Sequence, residues 1–269
     1  MIDRWLEVRA LTGRWFIQTK RRPIVLFSGL IQPFVWLFLF SAVFKNSPLA
    51  QLHGAASYLA FITPGALVFT AFSGALNGGV PILFDREQGF LDRMLVAPLV
   101  SRFSIVWSTG IHIFAMTVLQ CVVILVVTTL MGVSFAGGLS GLLVVCLTLV
   151  FITAIFTTFS LMLAFALRYH FELLAIVMIV SLPILFLSTA FAPVEFMPGW
   201  LKVLVSLNPV TLAVEPIRAV SLQADWTWQT VIYDSPFVDF SVAGCLVALV
   251  VLQVVVSLLA AAVIKRKLN

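Results

Sequence analysis

Ionisable side chains are scarce in this chain, so the places where they gather are the first candidates for chemistry. The 269 residues include 16 basic and 11 acidic side chains. One dense cluster, Asp85-Arg86-Glu87 with Asp92-Arg93, separates two long apolar runs. A looser group is Glu195, Glu215 and Arg218, three residues that could pair with one another. Neither has the pattern of a hydrolytic site. An ATPase needs G-x-x-x-x-G-K-[ST] to cradle phosphates in backbone N–H groups, and no Gly-Lys dipeptide occurs. His53, His112 and His170 fall in segments too far apart to assemble a metal set. Cys121, Cys146 and Cys245 lie in apolar runs without paired spacing, which suggests neither a disulfide framework nor a zinc knuckle. A hydrolase inside the membrane needs a Ser/His pair, paired Asp or a metal, and an ion-coupled carrier keeps ionisable groups within its spans. His112 alone approaches that description, and a lone histidine there reads as interfacial or core. The chain is expected to be no enzyme and to hold no cofactor or metal of its own.

The elements that must position these clusters follow from composition. Hydrophobic residues make up 62% and charged residues 10%, against roughly 45–50% and about 25% in globular chains. So few charges cannot cover a water-facing surface, and disorder requires low hydrophobicity. The class is an all-α polytopic membrane protein, a single domain over 1–269. A span needs ~20 apolar residues. Six runs qualify: Ile24–Phe44, Tyr58–Phe84, Phe103–Met131, Gly141–Leu167, Leu173–Ala192 and Ser241–Ile264. None contains Lys, Arg, Asp or Glu. Pro64, Pro81 and Gly78-Gly79 supply kink points in the second. Of the 16 basic residues only Lys45, Lys202 and Arg218 fall on one side. The positive-inside rule therefore puts both termini in the cytoplasm. The same bias accounts for the net charge of +5 without a nucleic-acid partner.

Three polar segments remain. Residues 1–22 read as a cytoplasmic helix at the membrane surface, with Asp3, Glu7 and Arg14 on one side and Ile2, Trp5, Leu6 and Phe16 roughly opposite. The cytoplasmic loop 85–102 is longer than a turn requires. Within it Phe90, Leu91, Met94 and Leu95 form one stripe of a short helix, which Pro98 stops. Such a stripe can dock in a groove of a soluble partner. Between spans five and six, residues 193–240 are too apolar for a free loop and too broken by Pro193, Pro198 and Asn208-Pro209 for a span. Aromatic residues crowd spans one, two and five. Trp36, Phe69, Phe72 and Phe186, with the isolated polar groups Gln32, Asn77 and Thr189, suit an apolar path for amphipathic cargo.

Glu87-x-Gly89-Phe-Leu-Asp92-Arg93-Met-Leu-Val-x-Pro98 resembles the cytoplasmic segment of the type 2 permease subunits of ATP-binding-cassette exporters, a family that includes drug-resistance and nodulation-factor export permeases. The stretch Ser188-Thr-Ala-Phe-Ala-Pro193-Val-Glu195-Phe-Met197-Pro198-x-Trp200-Leu201, then Leu207-Asn208-Pro209-Val-Thr211-x-Ala-Val-Glu215-x-Ile-Arg218, resembles that family's segment between spans five and six. The resemblance implies that Asp85, Glu87, Gly89, Phe90, Leu91, Asp92, Arg93, Met94 and Leu95 form a coupling helix seated on a separate ATPase subunit, which would hold ATP-Mg. It implies short re-entrant helices carrying Glu195, Asn208, Pro209, Glu215 and Arg218, and a second permease copy or paralogue across the path. The expected function is export of a drug, lipid or glycolipid from the cytoplasm or inner leaflet of the plasma (inner) membrane by alternating access. A polysaccharide or lipooligosaccharide export permease, or a non-transporting membrane scaffold, are the alternatives.

Overall fold

The computed structural model describes residues 2–45, 57–96, 100–101, 103–191, 193–233 and 239–268. Eleven α-helices follow in order among them. They are α1 Ile2–Arg21, α2 Ile24–Val43, α3 Tyr58–Leu76, α4 Val80–Glu87, α5 Phe90–Val96, α6 Phe103–Leu130, α7 Gly138–Ala166, α8 His170–Phe186, α9 Gly199–Ser206, α10 Pro209–Leu222 and α11 Val242–Leu268. Two short antiparallel strands, β1 Val231–Tyr233 and β2 Phe240–Ser241, pair before α11. Helices dominate because a backbone in lipid must satisfy its own N–H and C=O groups.

The centre of the fold is α3. Its sequence is apolar all round, and nearly every residue from Tyr58 to Leu76 is buried. It packs against α2, α6, α7 and α10. Its start is fixed by Ser57, whose hydroxyl accepts from the Ala60 N–H at 3.2 Å, the N-cap geometry that serine favours. Pro64 lies inside α3 without ending it. The predicted break comes at Asn77–Gly79, a 3₁₀ turn leading into α4, where Pro81 opens the helix. Gly79 approaches α7 so closely that a Cβ would stand 2.6 Å from the Ser160 carbonyl oxygen. The pieces still form one candidate span of 30 residues, Tyr58–Glu87.

Five helices are long and apolar enough to cross a membrane, or six if α9 and α10, bent by 86°, count as one. The fold is that of a polytopic helical membrane protein. The predicted fifth span, Leu173–Ala192, is shorter in the structure. Its helix α8 has 17 residues and ends at Phe186, about 26 Å at 1.5 Å per residue. The reason is local. The Asn208 side-chain amide donates to the carbonyls of Ile184 and Leu187, both at 2.6 Å, and so takes acceptors that the next turn of helix would have used. Outward-facing apolar side chains on α2, α8 and α11, among them Phe27, Ile31, Met178, Ile179, Val251 and Leu258, are exposed.

The predicted surface arm is α1. Trp5, Leu6, Phe16 and Ile17 are exposed while Trp15 is buried. Its polar side is turned toward α6. Ser104 Oγ donates to Glu7 Oε2 at 2.9 Å, and Thr19 Oγ1 meets His112 Nε2 at 2.9 Å.

Candidate functional site

The segment after α3 is built around one reversal. Gly89, at φ 67°, takes the left-handed conformation that closes a helix at low steric cost. Its N–H donates to the Arg86 carbonyl at 2.9 Å, and α5 begins at once. Just before this turn, Asp85, Arg86 and Glu87 occupy consecutive positions of α4. Successive side chains on an α-helix diverge by about 100°, so the three reach different neighbours. Asp85 is buried, and both its oxygens accept from Arg14 Nη2 at 2.7 Å. Arg86 Nη1 donates to the Ala164 carbonyl at 3.0 Å and the Leu167 carbonyl at 2.6 Å. These are among the carbonyls left open at the end of α7, where a cation is favoured. Glu87 Oε1 accepts from the His170 backbone N–H at 2.7 Å, and its Oε2 lies 2.7 Å from His170 Nδ1. His170 is the first residue of α8, where an acceptor caps the helix. Glu87 is the last residue of α4, three positions beyond the apolar run that ends at Phe84, and the His170 backbone N–H, helped by the ring, holds its carboxyl below the usual carboxylate range. Three adjacent charges thus fasten the segment to α1, to the end of α7 and to the start of α8.

The described residues of the apolar stripe, Phe90, Leu91 and Met94, turn toward the chain's own helices. Leu91 is 1% exposed and belongs to the chain's own core. Phe90 and Met94 are half-buried. The Arg14 guanidinium lies 4.0 Å from the centroid of the Phe90 ring, and Arg14 Nη1 is 3.8 Å from the Met94 sulfur. The side chains of Asp92 and Leu95 lie outside the described residues. What α5 offers outward is Arg93 and Val96, the latter 87% exposed, beside Gln88. Arg14 is the residue that sequence reasoning missed here. Its only signal was its place with Glu7 on the polar side of the arm, and its partner is 71 positions away.

The residues predicted for a cargo path divide into two groups. Trp36 stacks on Phe69 at 5.4 Å between centroids and lies 6.1 Å from Phe186 and 4.5 Å from Phe191. Gln32, Phe69 and Asn77 line one cavity of about 300 Å³, walled on its far side by Val177, Leu182 and Leu185 of α8. Phe72 departs from this set. It is buried, packing edge-on against Phe156 of α7 at 4.6 Å. Thr189 departs too, because it is buried and its carbonyl accepts from Arg218 Nη2 at 2.7 Å.

That arginine centres the predicted re-entrant stretch. Arg218 pairs with Glu215 three residues earlier, donates to the Phe61 carbonyl at 3.4 Å and lies 4.1 Å from the Phe61 ring centroid. Both charged residues are buried, where only a paired and hydrogen-bonded charge is tolerable. Asn208 caps α10 by accepting from the Val210 N–H at 2.8 Å, and Pro209 follows at its first turn. The Glu195 side chain lies outside the described residues.

Residues 6–222, a stretch holding both charge clusters and the whole path, match the family described as ABC-2 type transporter. The chain belongs to that family. It is 41% identical over 260 residues to the protein of Cyanophora paradoxa named transport permease ycf38, covering 96% of this chain and 89% of the relative. It is 40% identical over 263 residues to the Porphyra purpurea protein of the same name, covering 98% and 90%. It is 26% identical over 225 residues to the daunorubicin resistance ABC transporter permease protein DrrB1 of Streptomyces coeruleorubidus, covering 77% and 73%. The chain is therefore the permease subunit of an ABC transporter, a transport protein of the membrane rather than an enzyme, and the family implies an ATP-binding partner.

Proposed function

We propose that this permease exports a hydrophobic or amphipathic compound by alternating access, driven by a separate ATPase subunit that binds ATP-Mg. The observation that carries the reading is the triple attachment of Asp85, Arg86 and Glu87 to α1, α7 and α8. A push on the segment 85–102 reaches three helices through charged contacts, and packed interfaces shift between discrete arrangements rather than deform smoothly. The ATPase seats on the exposed side of α5, at Gln88, Arg93 and Val96, and both termini lie on its side of the membrane, in the cytoplasm. Two permease copies enclose the path, each presenting the α2–α3–α8 cavity with Gln32, Phe69 and Asn77 next to the aromatic cluster of Trp36 and Phe186. A mostly apolar cavity with a few polar groups selects amphipathic cargo. The α9–α10 stretch closes the far end of the path, held by Glu215 and Arg218.

The test uses inside-out membrane vesicles containing the permease with its ATPase and daunorubicin, the compound in one relative's name, as an amphipathic probe. ATP should drive its accumulation, and a non-hydrolysable analogue should not. Accumulation that needs only an ion gradient, or that persists without the ATPase, contradicts the proposal.

A further inference from the structure

A second cavity, larger than the one in the proposed path, adjoins it at Gln32, Ser73 and Asn77 and is walled by α1 and α6 in place of α8. It measures about 400 Å³ and is enclosed by α1, α2, the end of α3 and the first half of α6. Its floor is polar and buried. Thr117 and Gln120 of α6 are 2% and 8% exposed. Gln120 Nε2 donates to the Leu26 carbonyl at 3.2 Å, while its Oε1 has no donor among the described residues. That oxygen faces the cavity beside Gly74, where a Cβ would stand 3.6 Å away. The rim is polar and exposed, with Gln32 on α2 and Asn77 at the end of α3. The Gln32 amide has no hydrogen-bond partner among the described residues, although it lies within an apolar span, where an unpaired amide is unfavourable. No Lys, Arg, Asp or Glu lines the cavity. His112, the titratable group that does, has Nε2 engaged by Thr19. Leu26, Ile113 and Met116 supply the apolar part of the wall, beside the hydroxyl residues Ser28, Ser73 and Thr109.

From this geometry we infer that the cavity is a binding site for the headgroup of an uncharged, hydroxylated amphiphile, of the glycosyl diacylglycerol class. The Gln120 oxygen on the cavity floor, the rim amide of Gln32 and the Asn77 amide, one of whose hydrogens already goes to the Ser73 carbonyl at 2.9 Å, offer both donors and acceptors, the complement of a ring of hydroxyls. A phosphate headgroup would enter without a counter-charge, which a buried site disfavours. The acyl chains leave over the exposed rim into lipid. The inference rests on the cavity alone and stands whether or not the transport reading holds.

The test is photolabelling of the permease in lipid nanodiscs. The probes are glucosyl diacylglycerol and phosphatidylglycerol, each carrying a diazirine at the same acyl carbon near the headgroup. The sugar lipid should label peptides 73–81 and 109–120 preferentially. Gly74→Leu, which fills the floor, should abolish that labelling. Gln32→Leu removes an amide with no protein partner, so folding is spared, and labelling should fall about tenfold, the scale of one or two lost hydrogen bonds. A label that exchanges when the partnered ATPase turns over marks cargo, and one that stays marks a resident bilayer lipid. Both support the site. Equal labelling by the two lipids, or labelling unchanged in both variants, overturns it.

Discussion

Arg14 and Asp85 stand 71 residues apart in sequence, yet one guanidinium nitrogen donates to both oxygens of one carboxylate at 2.7 Å. The contact locks the N-terminal helix onto α4, just before the turn into α5. The same guanidinium covers the Phe90 ring and reaches the Met94 sulfur.

If this pair holds α1 and α4 together, breaking it should loosen both. Asp85→Asn or Arg14→Leu should each lower stability by about 2 kcal/mol, the scale of a hydrogen bond to a charged group. Their effects should be less than additive in the double variant, because the two side chains share one interaction. Thermal unfolding of the purified protein, set in a double-mutant cycle, checks this. Full additivity would show that the contact contributes nothing as a pair.

Leu91 and Val96 share one short helix and should behave in opposite ways. Leu91→Ala empties a core position and should cost about 2–5 kcal/mol of stability. Val96→Asp alters an exposed surface and should leave the unfolding temperature unchanged while weakening the ATPase complex. Unfolding curves and ATPase co-purification, measured on both variants, separate the two. A stable Leu91→Ala protein that loses the ATPase would restore the stripe as the docking face.

Glu87 supplies a pH dependence with a definite sign. Its carboxyl is held below the usual carboxylate range by the His170 backbone N–H and ring. A depressed pKa contributes stability above the unfolded-state value, lost as pH falls through the folded value. Native stability should therefore decline on acidification below the ordinary carboxylate range, and Glu87→Gln should show a shallower decline. Unfolding temperatures of both proteins across acidic pH measure it. Identical slopes would mean the cap has no energetic role.

Much of the fold was legible from the sequence, because lipid imposes one rule on every span. Uninterrupted apolar runs located the helices, and of the kink points Gly78-Gly79 with Pro81 marked the break between α3 and α4, whereas Pro64 lies inside α3. The end of α8 was not legible. It depends on Asn208 reaching back to Ile184 and Leu187, a contact that no local pattern announces. The stripe on α5 shows the limit of periodicity, which gives a face and not what covers it: Leu91 of that stripe is buried in the chain's own core. Phe72 and Thr189 show the same limit. An aromatic or a lone hydroxyl in a span looks alike whether it faces a path or packs inside.

The buried pair in α10 should be far more sensitive than the exposed Arg93 of α5. Arg218→Met leaves Glu215 uncompensated in the interior and should cost about 3–5 kcal/mol. Adding Glu215→Gln should recover much of that, because the stranded charge is gone. Folded yield and unfolding temperature in detergent are the readouts. A double variant no better than Arg218→Met would place the loss in the Phe61 and Thr189 contacts of Arg218 instead.

The central claim is that the exposed side of α5 is where an ATPase subunit drives this permease. A photo-crosslinking amino acid placed at Val96, in cells that express the permease at native levels, tests it most directly. The crosslinked product should contain a protein with a phosphate-binding loop. The same probe at Trp107, exposed on α6, should capture none. Failure to capture such an ATPase from Val96 or from Arg93, with the permease folded and inserted, would contradict the account.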